Sequence, residues 1–501
     1  MKDSSFSSPS CSSNLSLPKI ILFLFISITL FYSIYTTNII CFPHQNPESL
    51  TTQTHLKTPP PISPVSKNLQ THLPKNESKT SLEHIVFGIA ASAKLWKQRK
   101  NYIKVWWRKN ETRGFVWLDK KVQVRNDDVS SLPELRISAN VSRFNYTHKY
   151  GHRSAIRISR IISETIGLGL ENVRWLVMGD DDTFFVVDNL IRVLEKYDHN
   201  QFYYIGSNSE THLQNIMFSY NMGYGGGGFA ISYGLAKALT GIQDRCIQKY
   251  PGLYGSDDRI QACVAELGVP LTKELGFHQF DILGNPYGIL AAHPVTPLVS
   301  LHHLDIIHPI FPNANRVQSL QRLKVPIRLD SASLMQQSIC YDGSRGWTVS
   351  VSWGYAVQII RGIVSPREME RPSRTFRSWY QEADPTGFAF NTRSFEKDTC
   401  WEPFVYFLSN AIYDDLRNWT ASEYVLDRVS RRTCSSKKGA DPSEIHRVEV
   451  YKTPDPFLWD KAPRRNCCRI NPTKKKGTLV IHVGECREGE IIEVHSENKN
   501  S

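Results

Sequence analysis

The chain has 501 residues, with 60 Lys or Arg against 48 Asp or Glu, a net charge of +12. Hydrophobic residues make up 41% and charged residues 22%, which excludes a mainly disordered or collagen-like chain. The length leaves room for roughly two or three domains, and the positive charge bears on partners and solubility rather than on fold.

Residues 1–19 read as a short cytoplasmic tail. Ile20 to Phe42 then runs for 23 residues without a charge, enough for the ~20 apolar residues of a membrane-crossing helix. A cleaved signal peptide shares the basic start and apolar core, but no small-x-small cleavage site closes the run. The expectation is a transmembrane signal anchor over 20–42, with the body on the far side of the membrane from the tail as a single-pass type II protein. Residues 43–81 are rich in Pro, Ser, Thr, Asn and Gln, with Pro59-Pro60-Pro61, the composition of a stem. An anchor followed by a polar stem is the layout of a Golgi membrane enzyme with a lumenal body.

Eight cysteines lie beyond Cys11 and Cys41: Cys246, Cys263, Cys340, Cys400, Cys434, Cys467, Cys468 and Cys486. An even number suits disulfides in an oxidising compartment, although the sequence selects no pairing. No CxxC pair with partner spacing points to zinc. Glycosylation sequons at Asn76, Asn110, Asn140, Asn145 and Asn418 suit the same compartment.

Glu83 to Ala91 is an apolar, partly β-branched run and predicts a first buried strand. Trp96 to Trp107 has helical spacing. Gly114 to Leu118 predicts a second strand. Tyr150 to Ile166 predicts one amphipathic helix with Ala155, Ile158, Ile161, Ile162 and Ile166 on one face. Trp175 to Met178 predicts a short buried strand, followed by a helix with Asp188 as its N-cap and by a strand at Phe202 to Ile205. Strands alternating with helices imply an α/β domain: a mainly parallel sheet covered on both faces. Such sheets bind ligands at the carboxyl ends of their strands. From about residue 320 the rhythm changes, and Trp347 to Ile360, Glu444 to Tyr451 and Leu479 to Val483 predict a β-rich region over 321–501.

Asp180-Asp181-Asp182 stands directly after the strand WLVMG. Adjacent carboxylates repel and are costly to bury unpaired. A divalent cation with hard oxygen ligands, Mn²⁺ or Mg²⁺, relieves that cost and also holds phosphates; a solvated acidic turn is the plainer alternative. Gly225 to Gly228 lets backbone approach a ligand or bend a hairpin, without the spacing of a P-loop. Ser256-Asp257-Asp258 opens a helix, where an acid is either ordinary first-turn chemistry or a general base. In Leu301-His302-His303-Leu304-Asp305 one imidazole could serve a metal while the other packs.

Taken together, SAKLWKQRKNYIKVWWR (92–108), NYTHKYGHRSAIRISRIISET (145–165), RWLVMGDDDTFF (174–185), YNMGYGGGGFAIS (220–232), YGSDDRIQACVAELGVPLT (254–272), GFHQFDILGN (276–285) and HPVTPLVSLHHLD (293–305) resemble the fringe-type enzymes of glycosyltransferase family 31. Their plant fringe-related branch, an uncharacterised-domain family, is the closer match. The resemblance covers 82–320 well. It implies a Rossmann-like, GT-A type domain that transfers a hexose or N-acetylhexosamine from a UDP-sugar with inversion, by way of Mn²⁺ or Mg²⁺, with a beta-1,3 linkage. The acceptor would be a glycan, glycoprotein or polysaccharide hydroxyl. By motif Asp182 and His303 match metal ligands, and Asp180 and Asp181 match donor-binding positions. Asp258 matches the catalytic base, with Ser256 in place of the family's proline. Gly226, Gly227 and Gly228 match the donor-side glycine run, with Phe229 after it, and Arg153 and Arg157 could face the diphosphate.

Two other readings stand beside this one: a metal-dependent hydrolase, and a Golgi pseudoenzyme that acts as a glycan-binding module. Nucleic acid is excluded as a partner by the absence of any zinc-finger, helix-turn-helix or RNA-recognition signature. The basic clusters Lys97–Arg99–Lys100, Arg431-Arg432, Lys437-Lys438 and Lys474-Lys475-Lys476 are expected to lie outside the site.

Overall fold

The apolar run at Ile85 forms strand β1 (Ile85–Ala90), in which Ile85, Phe87 and Ile89 pack to one side and Val86 and Ala90 to the other. It belongs to a computed structural model whose described residues are 78–395, 402–427 and 440–493. The expected anchor (20–42), nearly all of the expected stem, Asn76, Cys400, Cys434, Arg431-Arg432 and Lys437-Lys438 lie outside the described residues. Among those described, no helix is long and apolar enough to cross a membrane.

The remaining strands of the first half are β2 (Arg113–Leu118), β3 (Glu134–Ile137), β4 (Trp175–Asp180), β5 (Phe184–Phe185), β6 (Tyr204–Gly206), β7 (Phe229–Ser232), β8 (Leu271–Lys273), β9 (Phe277–His278), β10 (Ile282–Gly284) and β11 (Ser300–Leu301). Six of them join β1 in a seven-stranded sheet of order β3-β2-β1-β4-β7-β6-β8. All run one way except β7, which is antiparallel to both β4 and β6. The expected mainly parallel sheet is therefore present, with one reversed strand beside the central β4.

Helices cover both faces of this mixed α/β layer. On one side lie α1 (Trp96–Trp106), through Trp96, Ile103 and Trp106, and a helix at Val187–Leu194, through Leu190 and Leu194. On the other, Ile161, Ile162, Leu235, Leu239, Ile260 and Val264 pack against Val86, Leu176 and Ile231. They come from α3 (Ile161–Ile166), α4 (Tyr233–Lys249) and α5 (Asp257–Glu266), and Ile158 of α2 (Ser154–Ser159) packs against them.

Two local expectations are corrected. The single helix over 150–166 is divided at Arg160, whose guanidinium reaches Asp244 (2.8 Å) and Glu164 (3.1 Å). Asp188 does not cap a helix: Val186 holds the cap position, and the Asp188 carboxylate is taken up by Arg108 at 2.8 and 2.6 Å.

The second half is led by α6 (Arg316–Asp330), whose capping box is closed by Asn315 and Gln318 at 2.9 and 3.0 Å. Its strands are β12 (Gln337–Asp342), β13 (Trp347–Ser352), β14 (Ala356–Arg361), β15 (Phe376–Ser378), β16 (Phe404–Asp414), β17 (Trp419–Leu426), β18 (Arg447–Lys452), β19 (Cys467–Asn471) and β20 (Thr478–Gly484). Eight of them form one sheet, β12-β13-β14-β16-β17-β18-β20-β19. Trp347 to Ile360 is thus a hairpin of two strands rather than one. The disulfide Cys340–Cys468 joins β12 to β19, the two edge strands, and so ties the sheet back on itself. Cys246–Cys263 joins α4 to α5, and Cys467–Cys486 secures the last strand pair. The inner residues of this sheet, among them Val349, Tyr355, Tyr406 and Val448, share one apolar core with Phe87, Val177 and Leu190 of the first. Strand β15 leaves the large sheet and pairs with β10 of the first half, Ile282 opposite Ser378.

Candidate active site

The acidic triplet stands where the sheet topology places ligand chemistry, at the carboxyl end of β4. The turn after β4 is pinned by Thr183, whose N–H donates to Asp180 O (3.0 Å). Its hydroxyl accepts from Asp180 N (2.8 Å) and donates to Gly226 O (2.7 Å). A small sheet then brings distant segments to this point: β11 pairs with β5 on one side and β9 on the other. The residue after β11 is His302, and the residue after β9 is Gln279.

His302 lies with Nε2 at 3.2 Å from Asp182 Oδ1 and 3.7 Å from Asp180 Oδ2. Nδ1 of His302 sits 3.2 Å from the carbonyl of Gln279, which can only accept, so Nδ1 carries a proton. In the neutral ring this leaves the Nε2 lone pair facing the carboxylates, the orientation a metal-ligating histidine needs. The ligand atoms of Asp180, Asp182 and His302 all lie within 4.8 Å of one another. Asp182 is 1% exposed, and its Oδ2 has no hydrogen-bond partner. Two carboxylates, one imidazole and a buried orphan oxygen fit a divalent cation of the Mn²⁺ or Mg²⁺ type.

The histidine in this cluster is thus His302, where the family match put His303. The backbone turns left-handed at His303 (φ 49°). Its ring faces Asp281 (3.3 Å) and the Phe280 carbonyl (3.1 Å) and lies flat on Trp379, with centroids 4.7 Å apart and planes 17° apart. Burial, reinforced by the His302 charge, lowers the His303 imidazole to about 3.

Arg99 was expected among the surface basic groups, and the structure places it in the site instead. It projects from α1 with Nη1 at 2.9 Å from Asp181 and 3.0 Å from Asp182, and Nε at 2.7 Å from Asp305. Tyr102 donates to the same Asp305 at 2.7 Å. The acid of the HHLD segment therefore anchors the arginine that neutralises the triplet. Burial pushes Asp181 up to about 6 against the pull of Arg99. Burial likewise works to raise Asp182, but His302 and Arg99 hold it down at about 2.

The glycine run serves the site by yielding space to other side chains. A Cβ at Gly226 would stand 2.1–2.5 Å from the His302 ring, and Gly228 has φ 85° with a Phe185 carbon 2.8 Å from the Cβ position. Gly225 N–H donates to Asp257 (2.9 Å) and Gly227 N–H to Gln279 (2.6 Å). The run thus packs closely against Phe185, His302 and Gln279 beside the triplet.

Asp258, in the first turn of α5, accepts from the N–H groups of Tyr254 (2.7 Å) and Gly255 (3.0 Å). Burial raises its carboxyl. Each oxygen keeps a further lone pair, so the group can still accept a proton. Its neighbour Asp257 is the nearer electrostatic partner of Asp180 and His302. Ser256 stands at the cap position without a capping bond, its hydroxyl bound to Asp257 at 2.9 Å.

The two arginines part company. Arg157 is buried and donates to the carbonyls of Ala91 and Trp117, both at 3.0 Å, so it braces the ends of β1 and β2 beside the triplet. Arg153 donates instead to the carbonyls of Val141, Ser142 and Phe144.

The family described as "Protein of unknown function, DUF604" matches residues 214–468, just over half of the chain, and the family described as "Fringe-like" matches residues 80–285. The chain belongs to the DUF604 family and is a fringe-like member of glycosyltransferase family 31. It is 28% identical over 150 residues to the beta-1,3-glucosyltransferase of Homo sapiens (30% of this chain, 28% of that one). It is 30% identical over 148 residues to the enzyme of the same name from Mus musculus (29% of each). The match thus spans less than a third of those relatives' length. A crystal structure of an active-site mutant of LgtC aligns at a TM-score of 0.30 and 12% identity, over 48% of this chain and 95% of that one.

Proposed function

We propose that this chain is an inverting, metal-dependent glycosyltransferase of GT-A type that moves a hexose or N-acetylhexosamine from a UDP-sugar to a hydroxyl of a glycan, glycoprotein or polysaccharide. The single observation that carries the reading is the buried Asp180–Asp182–His302 cluster at the carboxyl end of β4. Asp180, Asp182 and His302 would hold the cation, Mn²⁺ in the first instance. Bound there, a divalent cation supplies Lewis-acid neutralisation of the departing diphosphate. Asp181 and Arg99 fix the carboxylates of the triplet around it.

Asp258 takes the acceptor hydroxyl proton on a carboxylate oxygen. The freed oxygen forms a bond to the anomeric carbon as the bond from that carbon to the UDP oxygen breaks. Attack from the face opposite UDP inverts the anomeric centre without a covalent intermediate. The beta-1,3 linkage is proposed from the fringe-like match and from the names of the two relatives.

The site of action we propose is the Golgi lumen, with residues 20–42 as a type II anchor, 43–81 as a stem, 82–320 as the transferase domain and 321–501 as its β-rich region. Support comes, among the described residues, from three disulfides and from four exposed sequon asparagines, Asn110, Asn140, Asn145 and Asn418.

Asp258→Asn tests the mechanism. It should bind UDP-sugar with Mn²⁺ as the wild type does and lose transfer. Transfer near the wild-type rate would reduce Asp258 to a brace for the 254–255 loop.

A further inference from the structure

We propose that the C-terminal region adds to the metal cluster an acceptor subsite for a pyranoside ring, built on Trp379, Tyr380, Tyr254 and the hydroxyl of Tyr224. The inference rests on the transferase reading above and names the class of acceptor.

The pairing of β15 with β10 delivers Trp379, the next residue, to the edge of the metal cluster. Its N–H donates to Thr211 Oγ1 (2.9 Å), and its half-buried indole lies parallel to His303, the neighbour of His302. Tyr380 follows, 38% exposed, with its hydroxyl 3.2 Å from Met217 Sδ. Tyr254 is 46% exposed and stands on the loop whose N–H groups hold Asp258. Its ring is fixed against His148 (5.2 Å) and Phe218 (5.7 Å). Tyr380 and Tyr254 are electrostatic neighbours. Tyr224, 5% exposed, has a hydroxyl with no hydrogen-bond partner, and Tyr380, Asp281 and Asp257 are among its electrostatic neighbours.

A sugar ring presents apolar C–H faces and a rim of hydroxyls. Aromatic faces suit the first, and a sparse set of fixed polar groups suits the second. Here the rings flank both the metal-side histidine pair and the loop of the proposed base, where an acceptor hydroxyl must arrive. Tyr224 offers the buried phenol that a ring hydroxyl would satisfy. An extended peptide lacks such a flat apolar face, so the arrangement favours a glycan acceptor over a bare polypeptide.

The test uses the full chain with UDP and Mn²⁺ present. Methyl and p-nitrophenyl β-pyranosides of galactose, glucose and N-acetylglucosamine, and a Ser/Thr-rich peptide, are offered in saturation-transfer NMR. At least one pyranoside should bind, and Trp379→Ala should weaken it by about ten-fold, with UDP binding unchanged as evidence of an intact fold. Tyr380→Ala, at an exposed position, should weaken the same ligand, as should Tyr224→Phe. Absence of pyranoside binding, indifference to all three variants, or binding of the peptide alone would overturn the subsite. If UDP still binds, the transferase reading survives that result; if wild-type UDP binding is absent, both fall.

Discussion

Nε2 of His302 lies 3.2 Å from Oδ1 of Asp182, while Oδ2 of the same carboxylate is buried without a partner. Burial disfavours both charges, yet their mutual attraction wins: the carboxyl is held at about 2 and the imidazole is raised to about 9. At neutral pH the ring therefore carries a proton on the atom a cation would need.

Cation binding should accordingly expel that proton. Apparent Mn²⁺ affinity is expected to rise with pH, steeply below about pH 7, where burial also keeps Asp180 protonated, and by about ten-fold per unit from there to about pH 9. Calorimetry at pH 7 in buffers of different ionisation enthalpy should report release of between one and two protons, from His302 and in part from Asp180. Binding without proton release would remove His302 from the ligand set.

The two histidines should separate cleanly. His302→Gln is expected to weaken Mn²⁺ binding by ~10- to 100-fold, the scale on which metal-site changes act. His303→Gln should leave it within a few-fold and disturb the contact with Trp379 instead. The reverse order of effects would return His303 to the ligand position implied by the family match.

Arg99→Ala leaves the buried carboxylates of Asp181 and Asp182 without their shared cation. The metal-free protein should lose about 3 kcal/mol of stability, read as a fall in Tm. Added Mn²⁺ should restore part of it by binding the folded state. Equal loss with and without Mn²⁺ would show that Arg99 and the metal act at separate places.

A second buried chain sets a pH dependence of its own. His293 Nδ1 is 2.8 Å from the Pro294 carbonyl, His293 Nε2 is 2.9 Å from His278 Nε2, and His278 Nδ1 is 3.1 Å from Glu210. The carbonyl can only accept, so each neutral ring passes its acceptor nitrogen along the chain, and Glu210 must supply the last proton. Burial agrees, raising Glu210 from its ordinary 4.5 to about 7. A carboxyl raised in the folded state contributes stability that is full below its unfolded value and is lost as pH rises through the folded one. Glu210 should therefore contribute a falling slope between about pH 4.5 and 7, on the order of 3 kcal/mol in all, against the opposite contribution of His278 and His293, whose imidazoles burial lowers. Glu210→Gln, which keeps a donor to His278, should flatten that slope in denaturant titrations. An unchanged slope would mean that Glu210 is ionised.

How much of this could be read from sequence depended on how local the signal was. The triplet was legible because a short apolar strand ended directly in it. The glycine run and the Asp257–Asp258 helix start were legible as motifs. Arg99 was missed because its partners lie 82 to 206 positions away. A signal was nevertheless present: Arg99 is three residues from both Trp96 and Tyr102, a charge set into the buried stripe of α1. The choice between His302 and His303 was not legible, because β11 has only two residues and the left-handed turn at His303 breaks the alternation that would have assigned their faces. Trp379 reaches the site through pairing across more than ninety residues, which no local pattern marks.

The closed second sheet makes a further expectation. Cys340→Ser or Cys468→Ser frees the two edge strands and should cost about 2–5 kcal/mol, measured as a lower denaturation midpoint in the oxidised protein. Because the core of that sheet is shared with the first, donor binding should weaken as the sheet loosens. Full donor binding in a strongly destabilised variant would separate the two halves functionally.

The central claim is metal-dependent use of a nucleotide-sugar at the Asp180–Asp182–His302 cluster. UDP release by the full chain from a panel of UDP-sugars, with and without Mn²⁺ and a pyranoside acceptor, tests it most directly. Turnover of at least one donor should require Mn²⁺, rise with acceptor and vanish in Asp182→Asn. UDP release that ignores Mn²⁺ and persists in Asp182→Asn would contradict it.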